Sequence, residues 1–386
     1  METSAGQVIS TILKHDDKVT SYKIALIRAI NDVVMTFPDI ETTNMDVAIP
    51  LQTLSRFWLA YYWPFFDDEE LILQGPRSLR SRGLSNDMAF RTHLSEFRNQ
   101  WAEVAGDKSH PADGFFIINE LNIPRKRCIY PNGLLRSYNK VIKKISKTIQ
   151  MPIRYAGEGQ WSVFIKPEPF KSLQDICIGV PGTKDKDICV VVSANLWQGF
   201  QDMSLYVEAL CIHEWSLFTE RKNENSKYDR GYIYRLLTER PDNRRPLTWE
   251  RNQVDLLLME NKEFVCPWTE KSIRKNVRYD IDHLIPVSVY PINELWNLVP
   301  SDPYFNSHKK RNRMPTNERL NVAEPHLKLA YKNYGSIPST SQAIQEDAQN
   351  RFVYINEYEK DLPETLVKSV VKYISLIADS RNIARF

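Results

Sequence analysis

The sequence predicts an α+β protein that is mainly helical. Three observations support this expectation. Apolar residues recur at helical spacing from about Val8 to Trp101 and again toward the C-terminus. Two short apolar runs, Gly114-Phe115-Phe116-Ile117-Ile118 and Ile188-Cys189-Val190-Val191-Val192, have the length and β-branched content of strands. Near residues 280–313 the pattern becomes strand, loop, strand, helix, with acids, a histidine and asparagines placed along it.

The elements follow in order. The stretch Ser21 to Ile30 opens an apolar helix. Ile49-Pro50 introduces Leu51 to Trp63, a segment so dense in Leu, Trp and Tyr that a buried helix is expected before any ligand site. Gln74-Gly75-Pro76 and Arg82-Gly83 read as breaks. Between the two expected strands, Leu134 to Ile149 is an amphipathic helix. Tyr138, Val141, Ile142, Ile145 and Ile149 share one face, and Lys140, Lys143, Lys144 and Lys147 share the other. Leu196 to Lys222 is a further helix. Asp229 to Glu260 reads as two helices divided by a turn at Pro241-Asp242-Asn243-Arg244-Arg245-Pro246. Four regions are therefore expected: a helical one over 1–112, a mixed α/β one with the basic helix over 113–228, the site with its preceding helices over 229–325, and a helical one over 326–386.

Bulk properties set the frame. A chain of 386 residues exceeds one ordinary core. No apolar run reaches bilayer-spanning length, and Met1 to Thr20 lacks the apolar centre of a signal peptide. Five scattered cysteines, none in a CxxC, argue for a reducing compartment. A cytoplasmic location without membrane association is expected. The net charge of +3 does not by itself announce a nucleic-acid partner, so local clustering must make that case.

The chemistry concentrates in Tyr279-Asp280-Ile281-Asp282-His283, followed at a distance by Asn297 and Asn306. Asp280 and Asp282 alternate around Ile281, so on a strand both face one side. Trp296-Asn297-Leu298-Val299-Pro300 is short and apolar, a second strand or turn, and Asn306 to Arg313 reads as the start of a helix. Asp282 and Asn306 then offer oxygen ligands from two elements. Few protein oxygens, completed by water and phosphate, are what Mg²⁺ prefers. A neutral imidazole beside such an ion can take a proton from water.

These residues resemble the HNH family of nucleases, with its ββα-metal or His-Me finger fold, over roughly Phe264 to Pro315. The resemblance implies His283 as general base, Asp282 and Asn306 as ligands of Mg²⁺ or Mn²⁺, and Asn297 as the residue holding the histidine loop. With Lys309 after Asn306, the spacing is similar to that of the HNH domain of CRISPR type II effector nucleases. Lys309 would neutralise the cleaved phosphate. Many family members clamp a structural zinc with two CxxC pairs. Here the first is reduced to Cys266-Pro267-Trp268-Thr269, and Asp302 and Phe305 stand in place of the second. No structural zinc is expected, its place being taken by packing of Trp268, Trp296 and Phe305.

Other candidates fall away. His213-Glu214 lacks the second histidine of HExxH, and Gly157-Glu158-Gly159 has no nucleotide-loop pattern around it. Two basic clusters stand out instead. No acid occurs between Leu121 and Arg154, a stretch that also carries Arg125, Lys126, Arg127 and Arg136. Lys310, Arg311 and Arg313 follow Lys309 on the site helix, and phosphate contact is expected for these and for the four helix lysines. The function expected is metal-dependent endonuclease action on DNA ahead of RNA. The flanking regions are similar to standalone bacterial HNH proteins, which implies defence against foreign DNA with partner proteins. The rival is a nucleic-acid-binding or adaptor protein whose HNH fold is a scaffold.

Overall fold

The computed structural model describes residues 4–42, 45–66, 71–77, 79–80, 83–84, 87–106, 110–224, 227–239, 247–289, 293–355 and 359–386. They divide into two units, residues 1–36 with 41–241 and residues 37–40 with 242–386. As expected, helices dominate and the sheets are few and small. No helix of the described residues is long and apolar enough to cross a membrane.

The first unit contains α1 (Ala5–Ser10), α2 (Tyr22–Thr36), β1 (Asp46–Pro50), α3 (Leu51–Tyr62), β2 (Leu79–Arg80), β3 (Gly83–Leu84), α4 (Arg91–Ala105), α5 (Asp113–Asn122) and α6 (Pro124–Arg127). It continues through α7 (Asn132–Tyr155), β4 (Glu168–Pro169), β5 (Cys177–Gly179), β6 (Ile188–Val192), α8 (Ala194–Lys222) and α9 (Arg230–Thr238). The segment rich in Leu, Trp and Tyr is the buried helix α3. Its Trp58 and Tyr62 pack with Tyr22 and Phe90, and Tyr62 also meets Trp215 of α8 at 5.2 Å between ring centres. The helix α9, read from sequence as leading into the site region, packs on α8 inside this first unit. The turn expected at Pro241–Pro246 lies outside the described residues.

Two sequence readings are corrected. The run Gly114 to Ile118 is not a strand but part of α5. Gly114, Ile117, Ile118 and Leu121 are buried at helical spacing, with Glu120 buried beside them. Gly114 is needed because a Cβ there would meet Ala60 Cα and Trp63 Cβ at 2.7 Å, so α5 crosses the end of α3 backbone to backbone. The second correction is β1, which interrupts the stretch read as helical. It is an inner strand of a sheet ordered β4-β6-β1-β5, antiparallel to β6 and parallel to β5.

The second unit holds α10 (Thr248–Met259), β7 (Phe264–Val265), β8 (Ser272–Ile273), β9 (Asp280–His283), β10 (Leu298–Ser301), α11 (Asn317–Tyr334), α12 (Pro338–Arg351) and α13 (Leu362–Ser380). The two-stranded β9-β10 pair is too small to be stable by itself. It is held by a core in which Leu284, Trp296 and Leu298 join Leu320, Leu327, Leu366, Val370 and Ile374. Each such apolar side chain contributes about 1.5–3 kcal/mol on burial, so the helices and not the hairpin stabilise the site. Tyr331 and Tyr334 of α11 donate their hydroxyls to the carbonyls of Trp296 and Leu298, each at 2.8 Å, and so fix the entry to β10.

Candidate active site

Strands β9 and β10 pair antiparallel, with His283 opposite Leu298 and Asp282 opposite Val299. Asp282 and His283 are both buried, and Asn297 is fully buried at the end of a 3₁₀ turn over Leu295–Asn297. The Asn297 side chain bridges to one residue: its Oδ1 accepts from Ile285 N at 2.8 Å and its Nδ2 donates to Ile285 O at 3.3 Å. It therefore ties the chain two residues beyond His283. Asn297→Ala removes both bonds and leaves two buried backbone groups unsatisfied, at about 1–3 kcal/mol each. We expect lower stability and lower activity together. Urea unfolding indistinguishable from wild type would contradict this.

The imidazole is oriented by a residue that sequence reasoning missed. His283 Nε2 lies 2.8 Å from Asn293 Oδ1. An amide oxygen only accepts, so Nε2 carries the proton and Nδ1 is the basic nitrogen of the neutral ring. Asn293 falls in the loop between the strands, and no spacing rule picks it out. Tyr279, first residue of the motif, plays a structural part. Its hydroxyl donates to Asp255 Oδ1 at 2.6 Å, and burial together with that carboxylate pushes the phenol well above its usual range.

Asn306 sits on a π-helical turn, Phe305–Lys310, closed by Arg311 N donating to Asn306 O at 3.0 Å. Such wide turns are frequent at functional sites. Asn306 is half-buried, and its amide has no hydrogen-bond partner among the described residues. Lys309 is exposed. The helix read from sequence as continuing to Arg313 ends at Lys310, where Arg311 turns with φ of 50°. Arg311 is exposed, and Arg313 is half-buried with its guanidinium donating to Lys309 O and lying over the Phe386 ring.

Lys310 departs from expectation. It is 1 % exposed and cannot reach a phosphate backbone outside the fold. Its Nζ donates to Asp282 Oδ1 at 2.9 Å and to His283 O at 2.6 Å. The turn points residue 310 at β9. The other carboxylate oxygen, Asp282 Oδ2, accepts from the Trp268 indole at 2.7 Å. Trp268 thus does more than pack: it aims the acid.

An ammonium stands between a carboxylate and a carbonyl, a positive charge held by oxygens of the kind that a hard cation prefers. No cluster of three or more His, Cys, Asp or Glu side chains able to hold a metal occurs among the described residues. Where many family members clamp zinc, Cys266 Sγ accepts from Asp302 N at 3.2 Å, and Asp302 is paired with Lys271 at 2.5 Å. That ammonium holds the Asp302 carboxyl below its usual range. Phe386 closes the neighbourhood. Its ring packs edge-on against Trp268 at 5.5 Å and against Phe305 at 5.6 Å.

The basic helix lies in the other unit. Lys140, Lys143 and Lys147 are exposed, Lys144 is half-buried, and none of the four is in an ion pair among the described residues. Its opposite face is buried through Leu134, Tyr138, Val141, Ile142, Ile145, Ile149 and Ile153. The preceding basic residues turn inward: Lys126 pairs with Glu120 at 3.3 Å, and Arg127 donates to Leu121 O at 2.9 Å.

The strand pair β9-β10 and the turn tied to it through Lys310 lie in the stretch that the HNH class of nuclease domain covers. Residues 266–316 match the HNH endonuclease family (HNH_4), and the chain carries a domain of that family. Over residues 2–237 it matches a domain of unknown function, DUF8808, and the chain belongs to that family. No curated protein and no solved structure matches it.

Proposed function

We propose that this protein is a metal-dependent endonuclease that hydrolyses phosphodiester bonds in DNA. The observation that carries the reading is that Asp282 and His283 lie buried on the strand pair and are tied through Lys310 to the turn that also carries Asn306 and the exposed Lys309, within a segment matching the HNH endonuclease family. His283 Nδ1 takes the proton of the attacking water while Asn293 steadies the ring. Asp282 and Asn306 would hold Mg²⁺ or Mn²⁺, and the ion supplies charge stabilisation to the phosphate and the leaving oxygen. Lys309 meets the phosphate. Arg311 adds exposed positive charge at the end of the turn. The Cys266–Asp302 contact, with Trp268, Trp296 and Phe305, serves in place of a zinc clamp. The test is plasmid cleavage with Mg²⁺ or Mn²⁺, with chelator, and with His283→Ala. Chelator-insensitive cutting by both proteins would sink the proposal.

The basic face of α7 extends the reading to the DUF8808 unit. It would hold the duplex by its phosphates, away from the cut, without reading sequence. Replacing Lys140, Lys143, Lys144 and Lys147 by glutamine should weaken binding to all sequences alike and flatten its salt dependence. Normal binding at every salt concentration would make the stripe a solvated face or a dock for an acidic partner. A cytoplasmic role in bacterial defence, with partner proteins, is our wider proposal. A second reading has one observation in its favour: Lys310 already neutralises Asp282, as in a scaffold that binds nucleic acid without cutting it. RNA cleavage is the third arm of the same assay.

A further inference from the structure

The ammonium of Lys310 is the one charge in the site that the nuclease scheme does not use. We propose that Lys310 is the resting counter-ion of Asp282, and that a divalent ion binds there by taking Oδ1 away from it. The proposal rests on the reading of Asp282 and Asn306 as metal ligands.

Four observations lead to it. Lys310 is essentially sealed from solvent, so its charge is balanced by protein oxygens. Its Nζ reaches Asp282 Oδ1 at 2.9 Å and His283 O at 2.6 Å. Oδ2 of the same carboxylate is taken by the Trp268 indole, so both oxygens already have donors. A divalent ion on Oδ1 would meet a positive charge at short range in a poorly screened place, so the two repel each other and compete for that carboxylate. Finally, Asn306 and Lys310 lie on one short π-helical turn that ends in the positive-φ residue Arg311. Withdrawal of the lysine and presentation of the Asn306 carbonyl are thus changes of the same turn. The flexible lysine stem allows the ammonium to swing out, as a planar guanidinium would not.

The contact then has two consequences. It keeps the buried carboxylate in place when no metal is present. It also sets metal affinity by competition, so the domain loads its ion only where the ion is abundant or where substrate phosphate helps to hold it.

The experiment uses the full chain and Mn²⁺ alone. Free Mn²⁺ is counted by its paramagnetic resonance signal during titration of wild type, Lys310→Met, Lys310→Gln and Lys310→Arg. The two neutral variants should bind Mn²⁺ about tenfold more tightly than wild type or better, and Lys310→Arg should not gain. In wild type, an acylating reagent read by mass spectrometry should leave Lys310 protected without metal and label it with saturating Mn²⁺. This second measurement needs no variant to fold. Neutral variants that fold and bind Mn²⁺ no better than wild type overturn the proposal, as does Lys310 labelling that ignores Mn²⁺. Chelator-sensitive cleavage with either of those results leaves the nuclease reading standing and removes only the competition. Tighter Mn²⁺ binding without any cleavage does the reverse.

Discussion

His283→Ala should lower phosphodiester cleavage about 10²- to 10⁴-fold, the usual contribution of a positioned general base. Fold and nucleic-acid affinity should stay close to wild type. The imidazole bonds the Asn293 amide oxygen, a neutral group, so its removal does not strand a charge there. Single-turnover cleavage, filter binding and urea unfolding separate the three quantities. A variant that cuts at the wild-type rate would remove His283 from the chemistry.

Asp282 should behave differently, because its loss strands Lys310. Asp282→Ala leaves a buried ammonium with only a carbonyl and removes the proposed metal ligand at once. Breaking a buried ion pair from one side costs about 3–5 kcal/mol. Asp282→Asn keeps an oxygen for Lys310 but sets an NH₂ donor against the Trp268 indole N–H, so it should be milder in stability than Asp282→Ala, yet still poor in metal binding. Asn306→Ala should lose metal affinity with little change in stability, since its amide bonds to no protein group among the described residues. Urea unfolding in chelator, set beside Mn²⁺ titration, checks all three. Equal stability of Asp282→Ala and wild type would show that the Lys310 contact stores no such energy.

Much of the site was legible because its grammar is local. Asp282 and His283 are adjacent on one strand, and Asn297 immediately precedes the partner strand, so pairing of two short neighbouring segments brings them together. Lys310 was misread for a physical reason. Lys309, Lys310, Arg311 and Arg313 look alike in sequence, and only the pitch of the turn decides which of them points inward. Trp268 and Asn293 were invisible as donors and acceptors because their partners lie across the fold. The run at Gly114 was ambiguous as a five-residue apolar string. Reading it on to Leu121 would have disclosed the helical spacing, and the glycine the close crossing with α3. The strand β1 carried no such signal, since its partners β5 and β6 come far later in the chain.

Phe386 bears on when the site can exist at all. One edge of its ring touches Trp268, which aims the Asp282 carboxylate, and another touches Phe305, which begins the turn bearing Asn306. Its backbone is threaded into the same place, with Phe386 N donating to Met314 O at 2.8 Å and Thr316 N to Phe386 O at 3.1 Å. These partners are remote along the chain, so the contacts form only after a long loop has closed. A nascent or excised stretch limited to the HNH motif would therefore carry the right letters without the right geometry. The geometry around Asp282 and the Asn306 turn thus depends on the return of the chain through α11, α12 and α13 to Phe386.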